Sequence, residues 1–244
     1  MPGFVCVAFI HYRWCDQTPA VKSVVPFIKA CNLNDEDCLL TANMQIAYPY
    51  IADGIPEIGV PRMDPMNFEN ITMWAEQNNF RFMLPYLQIR GGRRCRVVEF
   101  RQLRDQSAIK LIVDCPMIGT GTYKFNGKML IFDIDKEGDF RMQTNSMRTT
   151  ITAKFEKVFI NGKNYWKLLT YEFFSEPRES MNIDLAGLFS GDLEQVQPMM
   201  NVFNKDMTTI WQVGEPIENG IAKNVFNTLK IFFNRVPIDE FLQH

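Results

Sequence analysis

Residues 216–236, PIENGIAKNVFNTLKIFFNRV, decide the fold. Ile217, Ile221, Val225, Leu229, Phe232 and Phe233 recur at spacings of three and four, with Asn, Lys and Glu between them. That is the period of a helix with one apolar face. Upstream, Met199, Phe203, Met207, Ile210 and Trp211 form a stripe of the same kind. Gly214 and Pro216 interrupt it, and Pro216 suits the first turn of a new helical segment. The helical period begins near residue 192 and lasts almost to the end. Roughly forty residues at 1.5 Å rise make about 60 Å of nearly continuous helix. A compact domain does not need a helix of that length. A curved sheet wrapped around a long helix does, and it would enclose an elongated apolar interior.

The sheet is read directly upstream. From about Phe68 to Phe174 the apolar period is two, and the segments Lys128–Ile134, Thr149–Ile160 and Tyr165–Phe173 are rich in β-branched and aromatic residues. Asn126-Gly127 in KFNGKML and Asn161-Gly162 in FINGKNYW are both expected to be tight hairpin turns. RCRVVEFRQL and SAIKLIVDC read as a further hairpin turning near Asp105, which sets Cys95 opposite Cys115. A cross-strand disulfide and two neighbouring thiols both fit that placement. With no helices between these segments, the region reads as an antiparallel meander.

Ahead of the sheet lies CNLNDEDC, Cys31–Cys38, which admits a disulfide, a metal loop or a chance pairing. Asn34 stands at the N-cap position, and Asp35, Glu36 and Asp37 complement the dipole of the following first turn. Leu39, Ala42, Ile46 and Tyr50 then mark the apolar face of a short N-terminal helix, ended by the glycines and prolines of ADGIPEIGVPRMDP. A calcium loop needs alternating oxygen ligands and a glycine turn, and the hexapeptide has neither. GFVCVAFI, Gly3–Ile10, makes residues 1–16 a weak or truncated signal segment, with a buried first strand as the other reading. Residues 17–244 form a single domain.

Composition excludes several functions. The formal net charge is −2, so no basic field points to nucleic acid. No apolar run reaches the length of a membrane-spanning helix. The two histidines are His11 and His244, at the extremes of the chain. Nucleophilic hydrolases of the common kinds and most zinc or iron sites use internal histidine, so an enzyme is disfavoured and no metal or catalytic residue is expected. Twenty Phe and 14 Met supply bulk and flexibility for an adaptable cavity as much as for a core.

Four blocks together resemble one family. They are the Cys31–Cys38 pair with its helix and GIPEIGVPRMDPM (54–66), CPMIGTGTYKFNGKMLIFDI (115–134), NIDLAGLFSGDLEQVQPMMNVFNKD (182–206) and FFNRVPIDEFL (232–242). In order and spacing, over about residues 25–242, they are similar to the insect takeout and juvenile-hormone-binding protein family, within the wider group of tubular lipid-binding domains. The resemblance implies an α+β fold: a long C-terminal helix wrapped by a highly curved antiparallel sheet, with a short N-terminal helix, enclosing a hydrophobic tunnel. It implies a secreted carrier of one elongated hydrophobic molecule, such as a juvenile-hormone-like terpenoid, a fatty acid or a similar lipid, with no cofactor. The family's N-terminal disulfide maps onto Cys31 and Cys38. In the resembled family the hormone-binding branch carries a further bridge in the second half of its chain. No cysteine follows Cys115 here, so the resemblance is nearer the takeout branch and counts against juvenile hormone itself. The weak leader departs from the family's usual secretion signal.

Tunnel-wall candidates are Tyr50, Phe203, Met207, Trp211, Ile221, Val225, Leu229 and Phe233, each of which fits plain core packing equally well; Trp74 and Met129 are weaker. A monomer is expected, with any delivery receptor unspecified. The second reading is a membrane-surface lipid-transfer or lipid-sensing module acting through IRGGRRCR, residues 89–96. The third is a small-molecule esterase. Asn70-Ile71-Thr72 is a glycosylation sequon, of consequence in a secreted chain.

Overall fold

The computed structural model describes residues 6–9, 12–15, 23, 25–32, 34–35, 37–75, 80–103, 106–129, 132–188 and 207–243. Within the expected leader, β1 (Cys6–Phe9) and β2 (Tyr12–Cys15) pair as a separate hairpin. A short strand β3 (Cys31–Asn32) precedes a π-helical stretch, Cys38–Met44, that continues into helix α1 (Gln45–Asp53). The main sheet follows: β4 (Met66–Ala75), β5 (Phe80–Arg90), β6 (Arg96–Leu103), β7 (Ala108–Met129), β8 (Phe132–Ile160), β9 (Lys163–Pro177) and β10 (Asn182–Leu185). Helix α2 (Met207–Arg235) and strand β11 (Leu242–Gln243) complete it, β11 pairing in parallel with β3.

Two very long strands, β7 and β8, form the spine, antiparallel from Ala108↔Lys154 to Met129↔Phe132. Each end of the spine takes its own neighbours. β6 and β9 flank one half, β5 with β4 and β10 flank the other, and all these pairings are antiparallel. Strands of 22 and 29 residues cannot stay flat, because twist accumulates along them. Bulges add bends where the sequence removes a ladder donor. The register slips between Met83 and Tyr86, around Pro85, and between Cys115 and Met117, around Pro116. The curl is tight enough that α2 packs on both β4 and β9. Gly91 lies where the turn before β6 crosses Pro116; a Cβ there would sit 1.9 Å from the Pro116 carbonyl oxygen, so only glycine fits.

The two Asn-Gly pairs part company. Asn161 and Gly162 adopt positive φ, 51° and 79°, and join Ile160 to Lys163 in a two-residue turn, as expected. Asn126-Gly127 is not a turn. Both residues lie inside β7, paired with Asp135 and Ile134 on one side and Arg81 and Phe80 on the other, and the chain reverses after Met129. Pairing on both edges overrides the local preference for reversal.

The N-terminal helix also differs from expectation. Its cap is Asp35 rather than Asn34: the Cys38 N–H donates to Asp35 Oδ1 at 2.9 Å, and Asp35 C=O accepts from Leu39 N–H. The buried face is Leu39, Asn43, Ala47 and Ile51, whereas Ile46 and Tyr50 are half exposed. The π turns explain the shift, since more residues per turn give a stripe that repeats every four. Asn43 then ties the preceding segment down, accepting from Lys29 N–H at 2.8 Å and donating back to Lys29 C=O. Gly54, at φ 87°, ends the helix.

Disulfides join Cys31 to Cys38 and Cys95 to Cys115, the second across the end of the β6–β7 pair. On the chain-entropy account, closing rings of this size contributes roughly 2.5 and 3 kcal/mol respectively.

Helix α2 is one uninterrupted helix of 29 residues, about 44 Å long. Gly214 and Pro216 lie inside it and do not divide it. Pro216 removes one N–H, and packing of Ile217 and the residues after it holds the helix on the C-terminal side. The expected helix upstream, residues 192–206, lies outside the described residues. Two buried clusters flank α2. One includes Trp166, Phe155, Phe233 and Phe241; the other includes Phe82, Tyr123, Phe125, Phe140 and Ile217.

Candidate functional site

A cavity opens where the two clusters meet, between α2 and the concave face of the sheet. Counted as room for the centre of a water molecule, its volume is about 70 Å³, several times what a single water needs. Helix α2 contributes Ile221, Val225 and Leu229. Facing them are Leu111, Val113 and Met117 of β7, Thr149 and Ile151 of β8, and Phe173 of β9. Met44, Tyr48 and Ile51 close one side, and Met63, Met66 and Ile89 another. The Cys95–Cys115 bridge also borders it.

The wall positions follow from the register. β7 side chains at 111, 113, 115 and 117 share the inward face by strand alternation, and the extra residue at the register shift near Pro116 falls on β8. The wall is apolar, with four methionines whose unbranched side chains re-pack easily. Among the described residues, no charged side chain borders the cavity. Thr149 is occupied, its hydroxyl 3.2 Å from that of Ser175. Tyr48 is the exception: its hydroxyl forms no hydrogen bond among the described residues. Burial, with the Asp64 carboxylate adding to it, pushes the Tyr48 phenol up to about 12. It is therefore a neutral donor at any physiological pH. Asp64 is itself engaged, accepting from the backbone N–H groups of Gly91 and Arg93.

Of the candidates named from sequence, Ile221, Val225 and Leu229 border the cavity. Phe233 lies in the aromatic block, 5.4 Å from Trp166. Tyr50 is outside: it is 51% exposed and stacks on Phe27 at 4.4 Å, because the π turns rotate it away from the sheet. Phe203 and the side chains of Met207, Trp211, Trp74 and Met129 lie outside the described residues. Sequence reasoning missed Tyr48 and the sheet-side wall. Alternation along β7 carried a signal for Leu111 and Val113, but nothing local marks Tyr48.

The arginines of residues 89–96 are largely committed. Arg93 pairs with Asp53 at 3.3 Å and Arg96 with Asp114 at 2.9 Å. Arg148 also holds Asp114, at 2.7 Å, and these guanidiniums, Arg148 foremost, keep the Asp114 carboxyl below the usual carboxylate range. Asn70 is exposed on β4 with φ 54°. Among the described residues no group of acidic, Cys or His side chains could hold a metal ion, and no helix is long and apolar enough to cross a membrane.

Comparison with known proteins places the chain. It is 24% identical over 229 residues to the circadian clock-controlled protein daywake of Drosophila yakuba, covering 88% of this chain and 87% of that one. Daywake of Drosophila melanogaster is 23% identical over 228 residues, with the same coverage. The crystal structure of Epiphyas postvittana Takeout 1 superposes with a TM-score of 0.79 at 21% identity, covering 89% of this chain and all of that one, so the fold is shared. The model of the haemolymph juvenile hormone binding protein family matches residues 4–243. The chain belongs to that family, with the long helix, curved antiparallel sheet and short N-terminal helix that its sequence led one to expect.

Proposed function

We propose that this protein is an extracellular carrier that binds one elongated hydrophobic small molecule, a terpenoid, fatty acid or similar lipid, in an internal tunnel. The observation that carries the reading is the methionine-rich apolar cavity between α2 and the sheet. Burying apolar carbon yields roughly 0.8 kcal/mol per CH₂, so about fifteen groups support micromolar binding against an association loss of about 4 kcal/mol. Ile221, Val225 and Leu229 serve as the helical wall, with the methionines re-packing around ligands of different shape. Tyr48 supplies a side-chain donor that has no partner among the described residues, and it favours a neutral ligand oxygen. A fatty acid would therefore seat its carboxylate away from Tyr48, because no cation borders the cavity among the described residues and Asp64 is near. The role is carriage without chemistry, and the protein acts as a monomer. Two disulfides favour an oxidising, extracellular compartment, where exposed Asn70 would be an acceptor for glycan.

Organic extraction of the purified protein followed by mass spectrometry tests this. Recovery of a lipophilic compound in near-stoichiometric amount is the expected result. Protein that is repeatedly empty and takes up neither fluorescent fatty-acid nor terpenoid analogues would overturn it.

A further inference from the structure

The β8–β9 hairpin outruns the core. Residues two apart on a strand share a face, so Ile151, Ala153, Phe155, Lys157 and Phe159 all stand on the concave side of β8. The first three are buried, Phe155 at 4% exposure, yet Phe159 is 71% exposed. On the opposite face Ile160 is 50% exposed. The Asn161-Gly162 turn then sets Lys163 opposite Ile160, and Lys157 lies opposite Trp166. Lys157 and Lys163 are exposed, and neither joins an ion pair among the described residues; Lys167 is held by Glu156 at 2.7 Å. A turn that served only to reverse the chain would be polar throughout. This one carries a large apolar side chain on each face and two free cations at its base.

We infer that this tip docks on an anionic lipid bilayer. Phe159 and Ile160 enter the boundary between headgroups and acyl chains, while Lys157 and Lys163 meet anionic headgroups. The charge of the tip selects an anionic surface. Its two-sided exposure selects a fluid one, because a protein groove covers one face of a ribbon and a bilayer surrounds both. The arginine segment 89–96 is the weaker candidate, since Arg93 and Arg96 are already paired with Asp53 and Asp114. Docking here would bring the carrier to the membranes between which a lipid moves. It goes beyond the carrier reading and stands whatever the cavity holds.

The test is flotation of the full chain with vesicles of phosphatidylcholine containing roughly 30% phosphatidylserine, against pure phosphatidylcholine. We expect co-flotation with the anionic vesicles, weakened by salt. Phe159→Ser with Ile160→Ser should weaken it about tenfold or more, and Lys157→Gln with Lys163→Gln by a similar factor, with unfolding midpoints unchanged. Replacing Arg93, Arg94 and Arg96 with Gln should leave it in place. In a second measurement, Phe159→Trp should gain emission that brominated lipid quenches. The inference is overturned if the wild-type protein ignores anionic vesicles, if the tip variants bind as it does, or if the arginine variant alone loses binding. It is equally overturned if brominated lipid leaves the added emission of the Phe159→Trp variant unquenched, or if Phe159 and Ile160 instead prove to hold two copies of the chain together in sedimentation.

Discussion

Helix α2 passes through two unlike surroundings within a few turns. At Phe232 and Phe233 it enters a solid block: Trp166 stacks on Phe155 at 4.4 Å and meets Phe233 at 5.4 Å and the edge of Phe241 at 5.2 Å. At Ile221 and Val225, on the same stripe, it borders open apolar space. The helix, the curved sheet and the spacing of apolar residues are common to both regions. What differs is the volume set opposite, planar rings in one place and methionines with small branched aliphatics in the other. An apolar stripe therefore identifies a buried face without saying whether the face is filled.

Mutations can break or sharpen this contrast. The largest effect is expected from Trp166→Ala, which removes the centre of the filled region and should cost about 3–5 kcal/mol in a urea melt. A loss below about 1 kcal/mol would mean that the block is no better packed than the cavity wall. Next comes a matched pair of enlargements. Val236→Phe, at a fully buried position beside the block, should overpack and cost about 1–3 kcal/mol. Val225→Phe has room and should cost under about 1 kcal/mol, while lowering uptake of a lipophilic fluorophore roughly tenfold. Equal stability losses in the two variants would erase the distinction.

The smallest effect concerns Tyr48. In the unfolded chain its phenol titrates near 10.0 and in the folded chain at about 12. Across that window the folded state holds the proton that the unfolded state has lost, so stability falls as pH rises, by at most ~1.4 kcal/mol per unit. Tyr48→Phe should remove that share of the alkaline decline and leave stability at pH 7 within about 1 kcal/mol. Urea midpoints of both proteins at several alkaline pH values check it, and parallel curves would show that the hydroxyl is not buried as described. The same variant should narrow the preference for oxygenated over hydrocarbon ligands.

Much of the fold was legible because it rests on period. The alternation from Phe68 to Phe174 marked the sheet, and the stripe from Ile217 to Phe233 marked the helix. What misled was local preference set against long-range pairing. Asn126-Gly127 and Asn161-Gly162 are the same dipeptide, yet only the second reverses the chain, because the first has a partner strand on each edge. Tyr50 was named and Tyr48 missed for a related reason. A period of 3.6 was assumed where π turns supply a wider one, so the buried face runs through Asn43, Ala47 and Ile51, one residue on from Ala42, Ile46 and Tyr50. The cavity was the least legible feature of all, since it depends on how far side chains from separate strands and helices fill the space between them.

The parallel pairing of β11 with β3 joins Leu242 to Cys31, two residues far apart in the sequence. During synthesis β3 leaves the ribosome long before its partner. At about 5–20 residues per second the wait is roughly ten to forty seconds. The Cys31–Cys38 bond spans only seven positions and has no such wait. Oxidation can thus hold the N-terminal strand in shape while the rest of the protein is still being made. Strand β11 then acts as a latch, which closes only after Leu242 has been made.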